Sequence, residues 1–146
     1  MVEIHHQVGV KASARDVYNA LTTLDGLSGW WTRATGGTDV GEQLRFHFGE
    51  YGVTMRVEQA QPFDKVVWHC DIEHGEWKDT GVCFDIVETE DQVLINFSHI
   101  RWHACTEMYA HCSTKWAVFM LSLKDYLETG KGRPFPNDIQ VNHDDT

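Results

Sequence analysis

From Cys105 to Glu128 the chain contains neither glycine nor proline. Apolar residues recur in this segment every three or four positions, the spacing that places them on one face of an α-helix. The recurring positions are Cys105, Met108, Tyr109, Cys112, Trp116, Phe119, Met120, Leu123 and Leu127. The sequence therefore predicts one long amphipathic helix close to its C-terminal end.

Between Leu44 and His99 the apolar residues alternate with polar ones, which is the period of a half-buried β-strand. Five short runs of this kind are separated by glycine, proline or aspartate, and their connections are short enough for hairpins. The segment from Val2 to Val10 alternates as well and predicts a first strand. We expect a curved antiparallel sheet of about six strands wrapped around the long helix.

Two short helices are predicted after the first strand. Ser13 and Asp16 form a capping pair in front of an apolar stripe of about three turns. Asp25 is expected to cap a second helix that carries Trp30 and Trp31. The fold class is therefore α+β, with the order strand, two helices, strands and a long helix.

The charge of the chain limits its partners. Its 146 residues include 12 Lys and Arg against 22 Asp and Glu, a formal net charge of −10. Such a surface repels phosphate backbones and anionic lipids, so we expect no nucleic acid and no membrane partner. No apolar stretch approaches the ~20 residues that span a bilayer, and the N-terminus does not resemble a leader, so a cytoplasmic protein is expected. One domain over residues 1–133 and a tail over residues 134–146 are predicted.

The element order, the Trp30-Trp31 pair and the run from Leu121 to Pro134 resemble the START-like (SRPBCC) superfamily of helix-grip folds. More narrowly, the chain resembles the branch related to the C-terminal domain of the activator of heat-shock-protein ATPase. The resemblance extends from Val2 to about Phe135. It implies a cavity between the sheet and the long helix that opens near the short helices. It does not imply one chemistry, because the superfamily includes lipid carriers, plant-allergen-like binders and polyketide cyclases.

Large apolar side chains on both predicted walls are candidates for a ligand site. Rigid aromatic surfaces with a few polar groups are typical of small-molecule pockets. The candidate ligand-binding residues are Trp30, Trp31, Trp68, Phe84, Phe97, His99, Met108, Cys112, Trp116 and Phe119. The alternative is a core in which these side chains fill all the space.

His99 is the polar residue in phase with the buried positions of its strand. Its imidazole either bonds to neighbouring protein groups or orients a ligand, since a buried polar atom without a partner costs about 1 to 3 kcal/mol. Arg101 is predicted to continue the inward phase of this strand. In an enzyme of the cyclase or dehydratase kind, His99 and Arg101 would be the candidate catalytic residues. Arg101 is equally compatible with a surface ion pair to Glu107.

No metal site and no cofactor are expected. His99, His103 and Cys105 lie close in sequence to His111 and Cys112, but the last two point about 100° apart on a helix, so the set does not converge as zinc requires. No glycine-rich phosphate loop or nucleophile motif is present in the sequence.

Three functional hypotheses follow. The first is the binding of a small apolar or aromatic molecule in a cavity between sheet and helix. The second is a polyketide cyclase or dehydratase-like enzyme, and the third is an interaction domain that contacts a chaperone ATPase, as the resemblance implies. A homodimer is a further option, because Ile139 and Val141 of the tail could pair with the sheet edge of a second copy.

Overall fold

The computed structural model describes residues 1–142, so residues 143–146 of the predicted tail lie outside it. The elements in chain order are β1 (Val2–Val10), α1 (Ala14–Thr22), α2 (Leu24–Trp30), β2 (Ala34–Gly36), β3 (Gln43–Phe48), β4 (Tyr51–Gln61), β5 (Lys65–Cys70), β6 (Gly81–Glu88), β7 (Val93–Trp102) and α3 (Glu107–Thr129). This order confirms the predicted helix-grip fold, with a long C-terminal helix against an antiparallel sheet.

The sheet has seven strands in the order β1-β7-β6-β5-β4-β3-β2, and every neighbouring pair is antiparallel. The prediction of about six strands missed β2, because three residues are too few to display a period. The five strands predicted between Leu44 and His99 are all present, and their inward residues are buried as the alternation indicated, except for Phe48 and Val53, which are partly buried. One face of the sheet packs on the helices and the other carries the polar partners.

Capping residues define the three helices. Ser13 accepts a hydrogen bond from the backbone N–H of Asp16 (3.0 Å), which confirms the predicted cap of α1. The predicted cap of α2 was wrong by two residues: the hydroxyl of Thr23 accepts from the N–H of Gly26 (3.0 Å), and Asp25 lies in the first turn. Thr106 caps α3, so Cys105 precedes the helix and is exposed.

Glycines after α3 fold the chain back onto α2. Gly130 adopts φ 84°, the left-handed conformation that ends many helices. A Cβ on Gly132 would lie only 2.6 Å from the carbonyl oxygen of Gly29, so only glycine fits without a shift. Ser122 of α3 joins the same region, since its hydroxyl donates to the carbonyl of Trp30 (2.7 Å) and accepts from the N–H of Arg133 (2.7 Å).

Side chains from the helices reach the two edge strands. The Tyr109 hydroxyl donates to the carbonyl of Glu3 in β1 (2.6 Å), and the Lys124 ammonium donates to the carbonyl of Gly9. At the opposite edge the Ser28 hydroxyl accepts from the N–H of Ala34 in β2 (3.1 Å). No helix within residues 1–142 is long and apolar enough to cross a bilayer.

Candidate functional site

Trp31 lies at the centre of an aromatic cluster between the sheet and α3. Its ring centroid is 4.2 Å from that of Phe46 and 4.9 Å from that of Trp116. The rings of Trp30 and Trp68 both stack on the Trp31 ring with centroid distances of 6.0 Å. The angles between the ring planes are 19° for Trp30 and 6° for Trp68. Both Trp30 and Trp31 are buried, so neither is an exposed ring at an entrance.

The cluster continues along the sheet. The centroid distances are 5.2 Å for Trp68 and Phe84, 5.4 Å for Phe84 and Phe97, and 4.5 Å for Phe97 and Trp116. The indole N–H of Trp30 donates to the carbonyl of Ala20 (2.9 Å), which satisfies its polar atom inside the core. Ring contacts at these distances occupy the central space between sheet and helix.

Beside this cluster the structure has a cleft of about 220 Å³. The first half of α3 forms one wall, and the end of α2, the β3–β4 hairpin and the loop between β5 and β6 form the others. The lining residues are Trp31, Phe48, Val53, Trp77, Met108, His111, Cys112, Lys115, Trp116 and Phe119. The surface inside is therefore apolar except at His111 and Lys115.

The helix wall of the cleft follows from the period of α3. Met108, Cys112, Lys115 and Phe119 are spaced by four, three and four residues, so they share one face. Cys112 is 8% exposed, and burial raises the pKa of its thiol, which keeps this part of the wall uncharged at neutral pH. Met108 is 47% exposed and lies at the mouth.

Trp77 forms the opposite wall from the loop after β5. Its ring stacks on Trp116 with centroids 5.9 Å apart, and it is T-shaped to the imidazole of His99 with centroids 4.7 Å apart. The backbone N–H and the hydroxyl of Thr80 both donate to the carbonyl of Trp77, at 3.0 Å and 2.7 Å. These bonds hold the loop, and with it the indole, in one position.

Lys115 supplies positive charge to the cleft. Its ammonium pairs with the carboxylate of Asp138, and it lies 5.6 Å from the centroid of the Phe119 ring. Asp138 is only 4% exposed, and its Oδ1 has no hydrogen-bond partner among the described residues. The ion pair joins the segment after α3 to the helix wall.

His99 is a neutral imidazole inside the core. The indole N–H of Trp116 donates to its Nδ1 (3.1 Å), so that nitrogen carries no proton. The Thr80 hydroxyl proton is directed to Trp77, so the Thr80 oxygen accepts from the Nε2–H of His99 (2.8 Å). Burial lowers the pKa of His99 to about 3. Both ring nitrogens therefore have protein partners, and neither is left to bind a ligand. This favours the first of the two alternatives for His99, in which the imidazole bonds to neighbouring protein groups.

Arg101 does not continue the inward phase of His99, contrary to the sequence prediction. It adopts φ 69° and its Nε donates to the carbonyl of Asp79 (3.1 Å) at the surface. This irregularity reverses the alternation, so Trp102 points inward and is 1% exposed. The pairing of Arg101 with Glu107 is replaced by this backbone contact.

The predicted ligand-binding residues fall into two groups. Those that line the cleft are Trp31, Met108, Cys112, Trp116 and Phe119. Those enclosed in the core away from it are Trp30, Trp68, Phe84, Phe97 and His99. Sequence reasoning missed Phe48, Val53, Trp77, His111 and Lys115 as cleft residues.

The sequence patterns that could have identified these missed cleft residues differ from residue to residue. His111 and Lys115 are spaced by four residues and flank the apolar stripe of α3, so the helical period could have placed them at its border. Trp77 lies in a loop without any period, and only tertiary contacts bring it to α3. Within residues 1–142, no group of three His, Cys, Asp or Glu side chains is arranged to hold a metal ion.

The comparison with protein families matches residues 11–128 to the family described as "Activator of Hsp90 ATPase homolog 1-like protein". The comparison with curated proteins gives no match. Among solved structures, the Aha1 dimer from Colwellia psychrerythraea is 43% identical with a TM-score of 0.85, covering 90% of this chain and all (100%) of that one.

More distant structures share the fold alone. A protein from Staphylococcus saprophyticus is 13% identical with a TM-score of 0.76, covering 90% of this chain and 95% of that one. A protein of unknown function from Enterococcus faecalis is 21% identical with a TM-score of 0.74, covering 94% of this chain and 77% of that one. The helix-grip architecture is therefore common to chains with very different sequences.

Proposed function

The chain belongs to the Activator of Hsp90 ATPase homolog 1-like family, and from this premise we propose that it binds a small aromatic molecule in the cleft beside α3. The observation that carries the proposal is the contrast between a core filled with stacked rings and an adjacent apolar cleft of about 220 Å³. Apolar surface left open to water is costly, and a guest that covers it is stabilised by about 25 cal/mol for each Å² removed from water.

The volume of the cleft indicates the size of the guest. An apolar cavity of roughly 150 Å³ in another protein accommodates benzene, whereas sites for drug-sized ligands have about 300 to 1,000 Å³. A cleft of about 220 Å³ fits one ring or two fused rings. A long acyl chain or a multi-ring polyketide exceeds this space.

The ring walls favour an aromatic guest over an aliphatic one. Trp77 and Trp116 stack nearly parallel, with planes 17° apart, and both line the cleft together with Trp31 and Phe119. Offset-stacked or edge-to-face contacts contribute about 0.5 to 1.5 kcal/mol per aromatic pair beyond the buried area. A planar guest can make several of them at once.

The enzyme alternative has less support. A general base must have an unoccupied nitrogen within reach of its substrate, and its pKa works best near the operating pH. His99 has both ring nitrogens engaged by Trp116 and Thr80, and burial lowers its pKa to about 3. Arg101, the other candidate, contacts the backbone of Asp79 at the surface.

Replacing Met108 with tryptophan tests the proposed site. Met108 lies half-exposed at the mouth of the cleft, so a larger side chain can occupy the space without disturbing the core. We expect the affinity for 2-naphthol, a neutral two-ring probe, to fall by at least about tenfold, or ~1.4 kcal/mol. Isothermal titration calorimetry on both proteins measures the change.

Leu121→Trp is the matched control. Leu121 is 54% exposed on the same helix but does not line the cleft, so this variant should bind 2-naphthol as the unmodified protein does. Equal affinities in all three proteins would place the probe elsewhere and contradict the site. An absence of 2-naphthol binding to the unmodified protein would contradict the function itself.

We also propose that the chain forms a homodimer. The support is the relative with 43% identity, which is described as a dimer. Sedimentation velocity of the purified protein should then give a species of about twice 16.8 kDa, and a monomer at all accessible concentrations would refute the proposal. Strand pairing through Ile139 and Val141 stays a prediction. Contact with a chaperone ATPase ranks below both proposals, because its support is the family description alone.

A further inference from the structure

We infer that Asp138 occupies the position of a guest's anionic group, so the preferred guest of the cleft is an aromatic carboxylate that replaces Asp138 beside Lys115. This inference rests on the proposed binding function and adds to it the charge of the guest and a coupling to the C-terminal segment. In the unliganded protein the ion pair between Asp138 and Lys115 would hold the segment of residues 134–142. Binding would replace this pair with one between the guest carboxylate and Lys115.

Lys115 is placed to meet an anion inside an apolar site. It lies on the cleft face of α3 between Cys112 and Phe119, and its side chain is 18% exposed. A partly buried ammonium interacts more strongly with an anion than an exposed one does, because less water screens the pair. The formal net charge of −10 repels anions elsewhere, so this cation distinguishes the cleft from the surrounding surface.

The segment that carries Asp138 is attached to the walls of the same cleft. The backbone N–H of Phe135 donates to the carbonyl of Trp31 (2.7 Å). The ring of Phe135 meets that of Phe48 edge to face at 5.3 Å. Trp31 and Phe48 both line the cleft, so a change in the contacts of this segment is transmitted to the site directly.

Asp138 is an incompletely satisfied buried carboxylate. Its side chain is 1% exposed, Oδ2 pairs with Lys115, and Oδ1 has no hydrogen-bond partner among residues 1–142. Removing a carboxylate from water costs several kcal/mol unless its oxygens are well paired. Exchange with the carboxylate of a guest would return Asp138 to water while Lys115 keeps an anionic partner. The exchange therefore offsets part of the cost of binding.

A pair of matched probes isolates the charge. 2-Naphthoate and 2-naphthol share the same two fused rings, and only the first carries an anion at neutral pH. In Asp138→Asn the competing carboxylate is removed with little change of shape, so we expect 2-naphthoate to bind about tenfold tighter than it binds to the unmodified protein. The affinity for 2-naphthol should change by less than about twofold. Asp125→Asn, at an exposed position of α3, changes the net charge equally and should alter neither affinity.

The double variant Lys115→Met with Asp138→Asn removes the cation without leaving a buried charge. It should lose the preference for 2-naphthoate and still bind 2-naphthol. The inference is overturned if Asp138→Asn binds 2-naphthoate no more tightly than the unmodified protein does, or if the double variant still binds 2-naphthoate more tightly than 2-naphthol. In either case the proposed function stands. If neither probe binds to any of these proteins, both are overturned.

Hydrogen exchange of the unmodified protein provides a test that needs no variant. The amide of Phe135 reports whether the segment is attached, because it donates to Trp31. Saturating 2-naphthoate should accelerate exchange at residues 135–142, and saturating 2-naphthol should not. Equal protection with both probes would show that the anion does not replace Asp138.

Discussion

Trp31→Ala is expected to lower the free energy of unfolding by about 3 to 5 kcal/mol, the range for truncation of a fully buried Trp or Phe. Trp31 is 2% exposed and its ring contacts those of Phe46, Trp68 and Trp116. Alanine would leave a void at the centre of the aromatic cluster, and the surrounding rings are too rigid to close it. Urea denaturation followed by far-UV circular dichroism measures the loss.

Tyr51→Ala provides the control for this prediction. Tyr51 is an aromatic residue that is 81% exposed at the start of β4, so its removal should change stability by no more than about 0.5 kcal/mol. A loss below about 1 kcal/mol for Trp31→Ala would mean that the rings do not form a packed cluster. Because Trp31 lines the cleft, the void left by alanine would adjoin the cleft.

Acidification is expected to destabilise the folded protein through His99. Its pKa is lowered from 6.5 to about 3 in the folded state by burial. At pH 7.5 the imidazole is neutral in both states and contributes no pH dependence. Between pH 6.5 and pH 3 the unfolded chain binds a proton that the folded protein does not, so stability falls as the pH falls. At pH 4.5 the loss from this residue amounts to about 2.7 kcal/mol.

His99→Gln should remove this contribution. The comparison is the difference in unfolding free energy between pH 7.5 and pH 4.5, which should be about 2.7 kcal/mol smaller in the variant than in the unmodified protein. The variant's absolute stability does not enter this comparison. His74→Gln, at an exposed position in the loop after β5, is the matched His-to-Gln substitution outside the core. An identical pH dependence in His99→Gln would contradict the buried neutral imidazole.

The sequence was sufficient for the elements with a long, regular period. The recurrence of apolar residues in α3 and the alternation in β3 to β7 both identify the buried face correctly, because burial of one face is what produces each period. The three residues of β2 could not be predicted, since its pairing with β3 and not its own pattern makes it a strand. The prediction for Arg101 was wrong for a related reason. It extended the alternation of β7 past His99, but the positive φ of Arg101 reverses that alternation.

The candidate site was harder to predict than the fold. Periodicity tells which side chains point inward, but not whether they meet, and here Trp68, Phe84 and Phe97 meet other rings while Met108 remains half-exposed. Trp77 and Asp138 lie in segments without a period. Their positions depend on tertiary contacts, among them those with Trp116 and Lys115, that no local pattern encodes.

The hydrogen bonds from Tyr109 and Lys124 to β1 and from Ser28 to β2 have a consequence for association. An edge strand whose backbone N–H and C=O groups are unpaired can form hydrogen bonds with a strand of another chain. Such pairing can lead to domain swapping and fibril formation. Here helical side chains engage such groups on both flanks. At these three positions the backbone group is already engaged, which disfavours the addition of a further strand there.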